Sequence, residues 1–230
     1  MRDIKLITFD LDDTFWDIGP PIIKAEKETR HWLDEKVPGI NWGDFNDFID
    51  LRNQLVRQNS SLEWDISELR KEFYKHKLKE VLDNSAKVDN LVKQAYKIFI
   101  QKRHDLKLYD GLVDCIKSLS NKFMLGILTN GNADINNFSI GENFSFSISS
   151  LDVKSNKPDI SHFNRALELS GFSASESLHI GDHQINDMLG AHDAGFSYIW
   201  FNNNNAVWNQ KINKPKEFSD WNLFEELITK

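Results

Sequence analysis

The sequence predicts an α/β protein: a doubly wound, mostly parallel sheet with a helical segment inserted near its start. Three observations predict it. A short β-branched apolar run, Ile4 to Phe9, breaks off into the acidic cluster DLDDT. A long stretch after Pro20 then carries helical periodicity and no convincing strand. From about residue 105 onward, strand-type and helix-type segments alternate, as in a parallel sheet wrapped by helices.

Ile4 to Phe9 reads as a buried strand because it is apolar, β-branched and short. Pro20 and Pro21 suit the first turn of a helix, along which Ile22, Ala25, Thr29, Trp32 and Leu33 share one face, and Pro38-Gly39 ends it. Phe45, Phe48, Ile49, Leu55 and Val56 mark a second amphipathic helix, and Ile66, Leu69, Phe73 and Val81 a less regular third. Val88, Leu91, Val92, Ala95, Ile98 and Phe99 mark a fourth. Four helices in succession form a separate module. Residues 16–105 are therefore read as an inserted helical domain, and 1–15 with 106–230 as the α/β core. In that core the reading runs helix Leu112–Leu119, strand Phe123–Leu128, a further strand over Phe144–Ser149, helix Ile160–Leu169, strand Leu178–Ile180, helix Ile185–Ala194 and strand Tyr198–Phe201. The tract NNNN at 202–205 reads as a surface loop.

Composition narrows the function classes. The chain has 230 residues, 40% hydrophobic and 27% charged, enough to bury a core without staples. A net charge of −7 without a long basic run argues against nucleic-acid binding, which needs a cationic surface to displace counterions. It leaves anionic substrates open, because a metal ion and one or two local cations reverse the field inside a pocket. Cys115 is the single cysteine, so an internal disulfide and a thiolate metal cluster are both excluded, and its apolar neighbours make it a packed structural thiol. No segment approaches the ~18 apolar residues of a membrane span and the N-terminus lacks a signal-peptide pattern, so a cytoplasmic protein is expected.

Ligands of open α/β sheets bind beyond the carboxyl ends of the strands. Asp10 and Asp12 follow the first strand, Thr129 and Asn130 follow FMLGIL, and Asp182 and Asp187 follow LHIG, while Lys157 precedes the helix that starts near Pro158. Acids, a hydroxyl and an ammonium thus converge from distant parts of the chain. That set suits attack on a phosphate ester. A carboxylate reaches phosphorus only if the charge between them is offset, which magnesium on oxygen ligands does. A lysine and a hydroxyl hold the non-bridging oxygens, and a second carboxyl protonates the leaving alkoxide and activates water.

Taken singly, each motif has a plainer reading: DLDDT as a helix cap, Thr129 as a turn residue, Lys157 as a solvated lysine, GDHQIND as a helix start. Together and in order, FDLDDT at 9–14, LTN at 128–130, Lys157 in NKPDISHF and GDHQIND at 181–187 resemble the four motifs of the haloacid dehalogenase superfamily of phosphohydrolases, with the helical module where that superfamily places a type-1 cap. The resemblance implies a magnesium-dependent phosphatase. In it, Asp10 is nucleophile and metal ligand, and Asp12 is general acid and base with its backbone carbonyl on the metal. Thr129 and the Asn130 backbone amide hold phosphoryl oxygens, and Lys157 neutralises charge on Asp10 and the phosphate. Asp182 is a direct metal ligand, Asp187 stands behind it, Thr14 fixes the loop, and Asp13 faces solvent.

Dehalogenases and phosphonatases of that superfamily lack the second acid of the first motif, so Asp12 argues against both. A sugar phosphomutase and a non-catalytic phosphate-binding regulator remain as alternatives. TNGNA at 129–133, the stretch Pro21 to Glu26 and Trp208 resemble bacterial phosphatases of FMN and of the phosphoribitylamino-uracil precursor of riboflavin. The expected partner is a small phosphorylated metabolite, neither nucleic acid nor membrane, with Trp16 placed to stack on its leaving group; the oligomeric state is not legible.

Overall fold

The computed structural model describes residues 3–229. The chain divides into two compact units, one formed by the residues up to Asp17 and from Lys107 onward, the other by Ile18–Leu106.

The first unit holds a six-stranded, all-parallel sheet in the order β3-β2-β1-β4-β5-β6. Its strands are β1 (Leu6–Phe9), β2 (Met124–Thr129), β3 (Phe146–Ser149), β4 (Ser177–Gly181), β5 (Ser197–Phe201) and β6 (Glu217–Phe218). β1 lies in the middle, its Phe9 in register with Ile127 on one side and Ile180 on the other. All four of its residues are buried, as a central parallel strand requires. Leu6, Leu128, Ile148, Phe163, Ala166, Ala191 and Phe196 form one core cluster. A second, aromatic group joins Phe9, Phe15 and Phe144 to Trp221, which in turn packs on Phe201, Phe218 and Phe224. Cys115 is buried as expected, and burial pushes its thiol up to about 12, so it is inert.

The second unit contains α1 (Gly19–Lys36), α2 (Phe45–Gln58), α3 (Ile66–Lys79) and α4 (Ser85–Arg103). α1 opens on its proline pair, and α2 on a capping box in which Asp44 accepts the amides of Asn46 and Asp47 while Asp47 accepts that of Asp44. The apolar faces named above close on one another around Leu33, Leu55, Phe73, Tyr74, Leu78, Val88 and Ala95, except that Phe45, at the first position of α2, is exposed. α3 ends before Val81, which lies outside the helix and exposed. Beside this core, Glu26 accepts hydrogen bonds from Arg30, Arg70 and the Tyr74 hydroxyl. Arg30 also lies over Trp42, and Arg70 over Phe99.

The remaining helices belong to the first unit: α5 (Leu112–Ser120), α6 (Ser150–Val153), α7 (Ser161–Ser170), α8 (Gly190–Asp193) and α9 (Phe224–Thr229). The segment read as one helix, Ile185–Ala194, begins as a π-helical turn over Gln184–Leu189 and becomes α-helical only in α8. β6 and α9 add to what the sequence suggests. The tract 202–205 is a loop, as read. Among the described residues no helix is long and apolar enough to cross a membrane.

Candidate active site

Because every strand is parallel, the carboxyl ends of β1, β2 and β4 fall on one edge of the sheet, and the chain leaves each of them carrying polar side chains. Asp10 follows Phe9, and its amide donates to Ile180 O at 2.9 Å, which holds it against the end of β4. Thr129 ends β2, and Asp182 follows Gly181. Asp10, Asp12, Thr129, Asn130, Lys157, Asp182 and Asp187 all line one cavity of about 280 Å³. The structure thus brings the motif residues together; Thr14 lies just behind them.

Lys157 is the hub. Its Nζ, almost wholly buried, donates to Asp10 Oδ1 at 2.7 Å, Asp187 Oδ1 at 2.6 Å and Leu128 O at 2.6 Å, so all three ammonium protons are used. Burial alone disfavours its charge, but the Asp10 and Asp187 carboxylates outweigh it and hold its pKa above the ordinary lysine range. Asn130 fixes the backbone here: its Oδ1 accepts the Lys157 amide at 2.7 Å and its Nδ2 donates to Lys157 O at 3.0 Å. The Thr129 hydroxyl accepts from Gly131 N at 2.9 Å.

Asp187 comes back to the site through the π-helical turn. Its Oδ2 accepts the His183 amide at 2.9 Å while Oδ1 faces Lys157. Burial pushes its pKa up, but Lys157 and His179 more than offset this and leave it below the usual carboxylate range. Asp182 has less help. Its Oδ1 accepts from the Thr14 hydroxyl at 3.2 Å, yet burial and the charges of Asp187 and Asp13 push its pKa up to about 8. Asp10 is raised well above the usual range too, first by burial and then by Asp187 and Asp182, with Lys157 opposing. The site is therefore rich in carboxylate and short of positive charge.

Oxygens of Asp10, Asp182 and Asp187 lie within 4.8 Å of one another. Asp187 is engaged at both oxygens, which leaves Asp10 and Asp182 as the carboxylates to hold a cation. An all-oxygen donor set with uncompensated negative charge fits a hard divalent ion such as magnesium.

Two expectations are corrected. Asp13 does not simply face solvent: it is half-buried, lines the same cavity, and takes a left-handed backbone (φ 64°) that turns its amide onto Trp16 O at 2.9 Å. Trp16 offers no stacking platform to a ligand. It is wholly buried in the first unit, where its ring stacks on Phe138 at 4.9 Å and its Nε1 donates to Asp12 Oδ1 at 2.7 Å. Thr14 reaches across to Asp182, and its carbonyl accepts from Trp221 Nε1 at 3.2 Å.

His183 also lines the cavity, and its Nδ1 accepts from the amides of Ile185 and Asn186. The sequence reading misses His179 and Thr8. The buried His179 sits with Nδ1 2.9 Å from Thr8 Oγ1 and Nε2 3.3 Å from Asp187 Oδ1. Burial lowers its pKa. The neutral ring then carries its proton on Nε2, since a donor must face the carboxylate. The only signal was a polar residue in each of two apolar strands. Trp200 Nε1, donating to Asp182 O at 2.6 Å, is a further support without a motif.

Comparison with known proteins adds the following. A family model described as haloacid dehalogenase-like hydrolase matches residues 7–201. YigB of Escherichia coli (strain K12), named a 5-amino-6-(5-phospho-D-ribitylamino)uracil phosphatase, is 25% identical over 223 residues, 94% of this chain and 92% of that one. The HAD-hydrolase YfnB of Bacillus subtilis (strain 168) is 28% identical over 216 residues, 88% of this chain and 86% of that one. Its magnesium-bound crystal structure gives a TM-score of 0.69 at 23% identity over 99% of each chain. The crystal structure of a 2-haloacid dehalogenase from Pseudomonas syringae pv. Tomato DC3000 gives a TM-score of 0.93 at 31% identity over 98% of each chain.

Proposed function

The chain belongs to the haloacid dehalogenase-like hydrolases, and from that footing we propose that it is a magnesium-dependent phosphatase of small phosphorylated metabolites, working through a phospho-aspartate on Asp10. The observation that carries this reading is the pairing of Asp10 and Asp12 on one cavity, with Lys157 Nζ 2.7 Å from the first. One carboxylate is poised as nucleophile, and a second stands by for the proton.

In the first half-reaction an Asp10 oxygen attacks phosphorus as the ester P–O bond breaks, and Asp12 gives its proton to the leaving alkoxide. In the second, Asp12 takes a proton from water, whose oxygen attacks phosphorus and releases phosphate from Asp10. The Thr129 hydroxyl and the Asn130 backbone amide bind the non-bridging oxygens, while the Lys157 ammonium offsets charge on Asp10 and the phosphoryl group and favours the ionised form of Asp10. Asp10, the Asp12 carbonyl and Asp182 would hold magnesium, whose charge would offset that of the phosphoryl group. Asp187 fixes Lys157, and Thr14 fixes Asp182. The helical unit corresponds to the type-1 cap domain that the resemblance implies.

The similarity to YigB supports a phosphate monoester as substrate, and the magnesium-bound YfnB supports the metal. The P. syringae dehalogenase favours a second reading, hydrolysis of a carbon–halogen bond. Asp12 argues against it, because halide leaves without a proton and needs no acid. One assay separates the two. Purified protein is incubated with nitrophenyl phosphate, FMN, a ribitylamino-uracil phosphate, nucleoside monophosphates, hexose phosphates and a 2-haloacid, each with magnesium or with EDTA. Phosphate release that needs magnesium, without halide release, is the expected result. Halide release alone, or phosphate release untouched by EDTA, overturns the proposal.

A further inference from the structure

Trp16 is wholly buried, and the mechanism above does not use it. Its Nε1 nevertheless meets the acid–base residue itself, at 2.7 Å from Asp12 Oδ1. The ring is clamped: it stacks on Phe138 at 4.9 Å with planes 19° apart, and meets Phe15 edge-on at 6.1 Å. Its backbone is tied to the same loop, with Asp12 bridged to Trp16 and the Asp13 amide donating to Trp16 O. The donor is therefore presented from a fixed position.

We propose that Trp16 is a positioning residue for the acid–base step, holding Asp12 in one rotamer and assigning its two oxygens different tasks. An indole N–H only donates, so Oδ1 must accept. In a protonated carboxyl the carbonyl-type oxygen is the better acceptor, so the proton is carried on Oδ2. Rotating Asp12 away would strand a buried N–H, which opposes the motion. Oδ2 then delivers its proton to the ester oxygen as the P–O bond breaks, and receives the proton of the attacking water in the second half-reaction. The inference rests on the phosphatase reading and deepens it: Trp16 sets how well the enzyme handles poor leaving groups.

The test is Trp16→Phe, which keeps a ring for Phe138 and removes the N–H, with Trp16→Tyr as a second variant that keeps a ring and a donor. Circular dichroism selects whichever variants fold. Single-turnover rates with glycerol 2-phosphate and with nitrophenyl phosphate report the first half-reaction for a poor and a good leaving group. With Trp16→Phe the glycerol phosphate step should slow about tenfold or more while KM stays the same, and the nitrophenyl step should change less than about twofold. In an Asp12→Asn background the same substitution should cost nothing further, because Trp16 acts through Asp12. If only Trp16→Tyr folds, it should retain a smaller leaving-group split of the same sign. Equal losses on both substrates, no loss on either, or an undiminished loss in the Asp12→Asn background would reduce Trp16 to a packing residue and overturn the inference. A wild-type protein inert toward both phosphate esters with magnesium would instead sink the phosphatase reading itself.

Discussion

At the scale of single residues, the site is a balance of charges around Lys157. Asp10 and Asp187 share its ammonium, so replacing Asp10 by Asn leaves the cation paired with Asp187 and the fold intact. Asp10→Asn should lower turnover by on the order of 10³-fold or more, because an amide cannot attack phosphorus; substantial residual activity with an unchanged circular dichroism spectrum would remove Asp10 from its role. His162 supplies a second prediction, about stability. It is wholly buried on α7, and burial, with Lys157 adding to it, lowers its pKa from 6.5 to about 4. Below pH 6.5 the unfolded chain takes up a proton that the folded chain refuses. Stability should therefore fall as pH drops from 6.5 toward 4, by up to about 1.4 kcal/mol per pH unit, and level off below. The raised carboxylates Asp10 and Asp182 act in the opposite sense, so the comparison must be with His162→Leu, which keeps them. Denaturant midpoints at several pH values should show a steeper acid loss for wild type than for the variant; parallel curves would assign the acid sensitivity elsewhere.

At the scale of elements, the sheet carries two close approaches, and one of them sets the site's precision. β4 ends in Gly181, where a Cβ would stand 2.3 Å from Asp187 Cγ. The π-helical turn after it needs that space to fold Asp187 back onto the His183 amide and Lys157. Gly126 in β2 is as crowded, its Cβ meeting the Phe146 ring at 2.2 Å, but it lies away from the cavity. Alanine at either position should cost about 1–3 kcal/mol through overpacking. Only Gly181→Ala should also depress kcat in the folded fraction, because it displaces the partner of Lys157. A Gly126→Ala variant with an equal loss of kcat would show that the sheet, rather than the contact to Asp187, governs activity. In the helical unit the capping box of α2 makes a local prediction: Asp44→Ala should cost about 1 kcal/mol, read from denaturant melts, with nitrophenyl phosphate chemistry unaffected.

At the scale of the whole molecule, the sheet gathers acids faster than it gathers cations, and a bound divalent ion should be stabilising. Magnesium at about 100 times its Kd should raise the stability of wild type by about 2.7 kcal/mol, visible as a rise in Tm. Asp182→Asn should blunt that rise, and an equal rise in both proteins would place the ion elsewhere. The architecture also explains why support for the site comes from far along the chain. Trp221, just after β6, joins the aromatic group of Phe9 and Phe15 and holds the Thr14 carbonyl, so the C-terminal segment braces the loop that carries Asp10 and Asp12.

The sequence by itself determined the α/β class, the run of amphipathic helices after Pro20, and the strand ends that carry Asp10, Thr129 and Asp182. Those follow from periodicity and from abrupt changes between apolar runs and polar turns, which are local and survive in one dimension. The shared cavity could be inferred because parallel strands all present their carboxyl ends on one edge. Only the tertiary structure decided the rest. β6, with two residues, is too short for any period to register, and α9, with six, spans less than two turns. The π-helical turn repeats no sequence pattern that separates it from an α-helix. Asp13 turned inward because its left-handed backbone is set by the bond to Trp16. His179 found Asp187 across the turn, and Trp16 went into the core instead of toward a ligand, since burial of a large ring and satisfaction of its N–H depend on neighbours that only folding supplies.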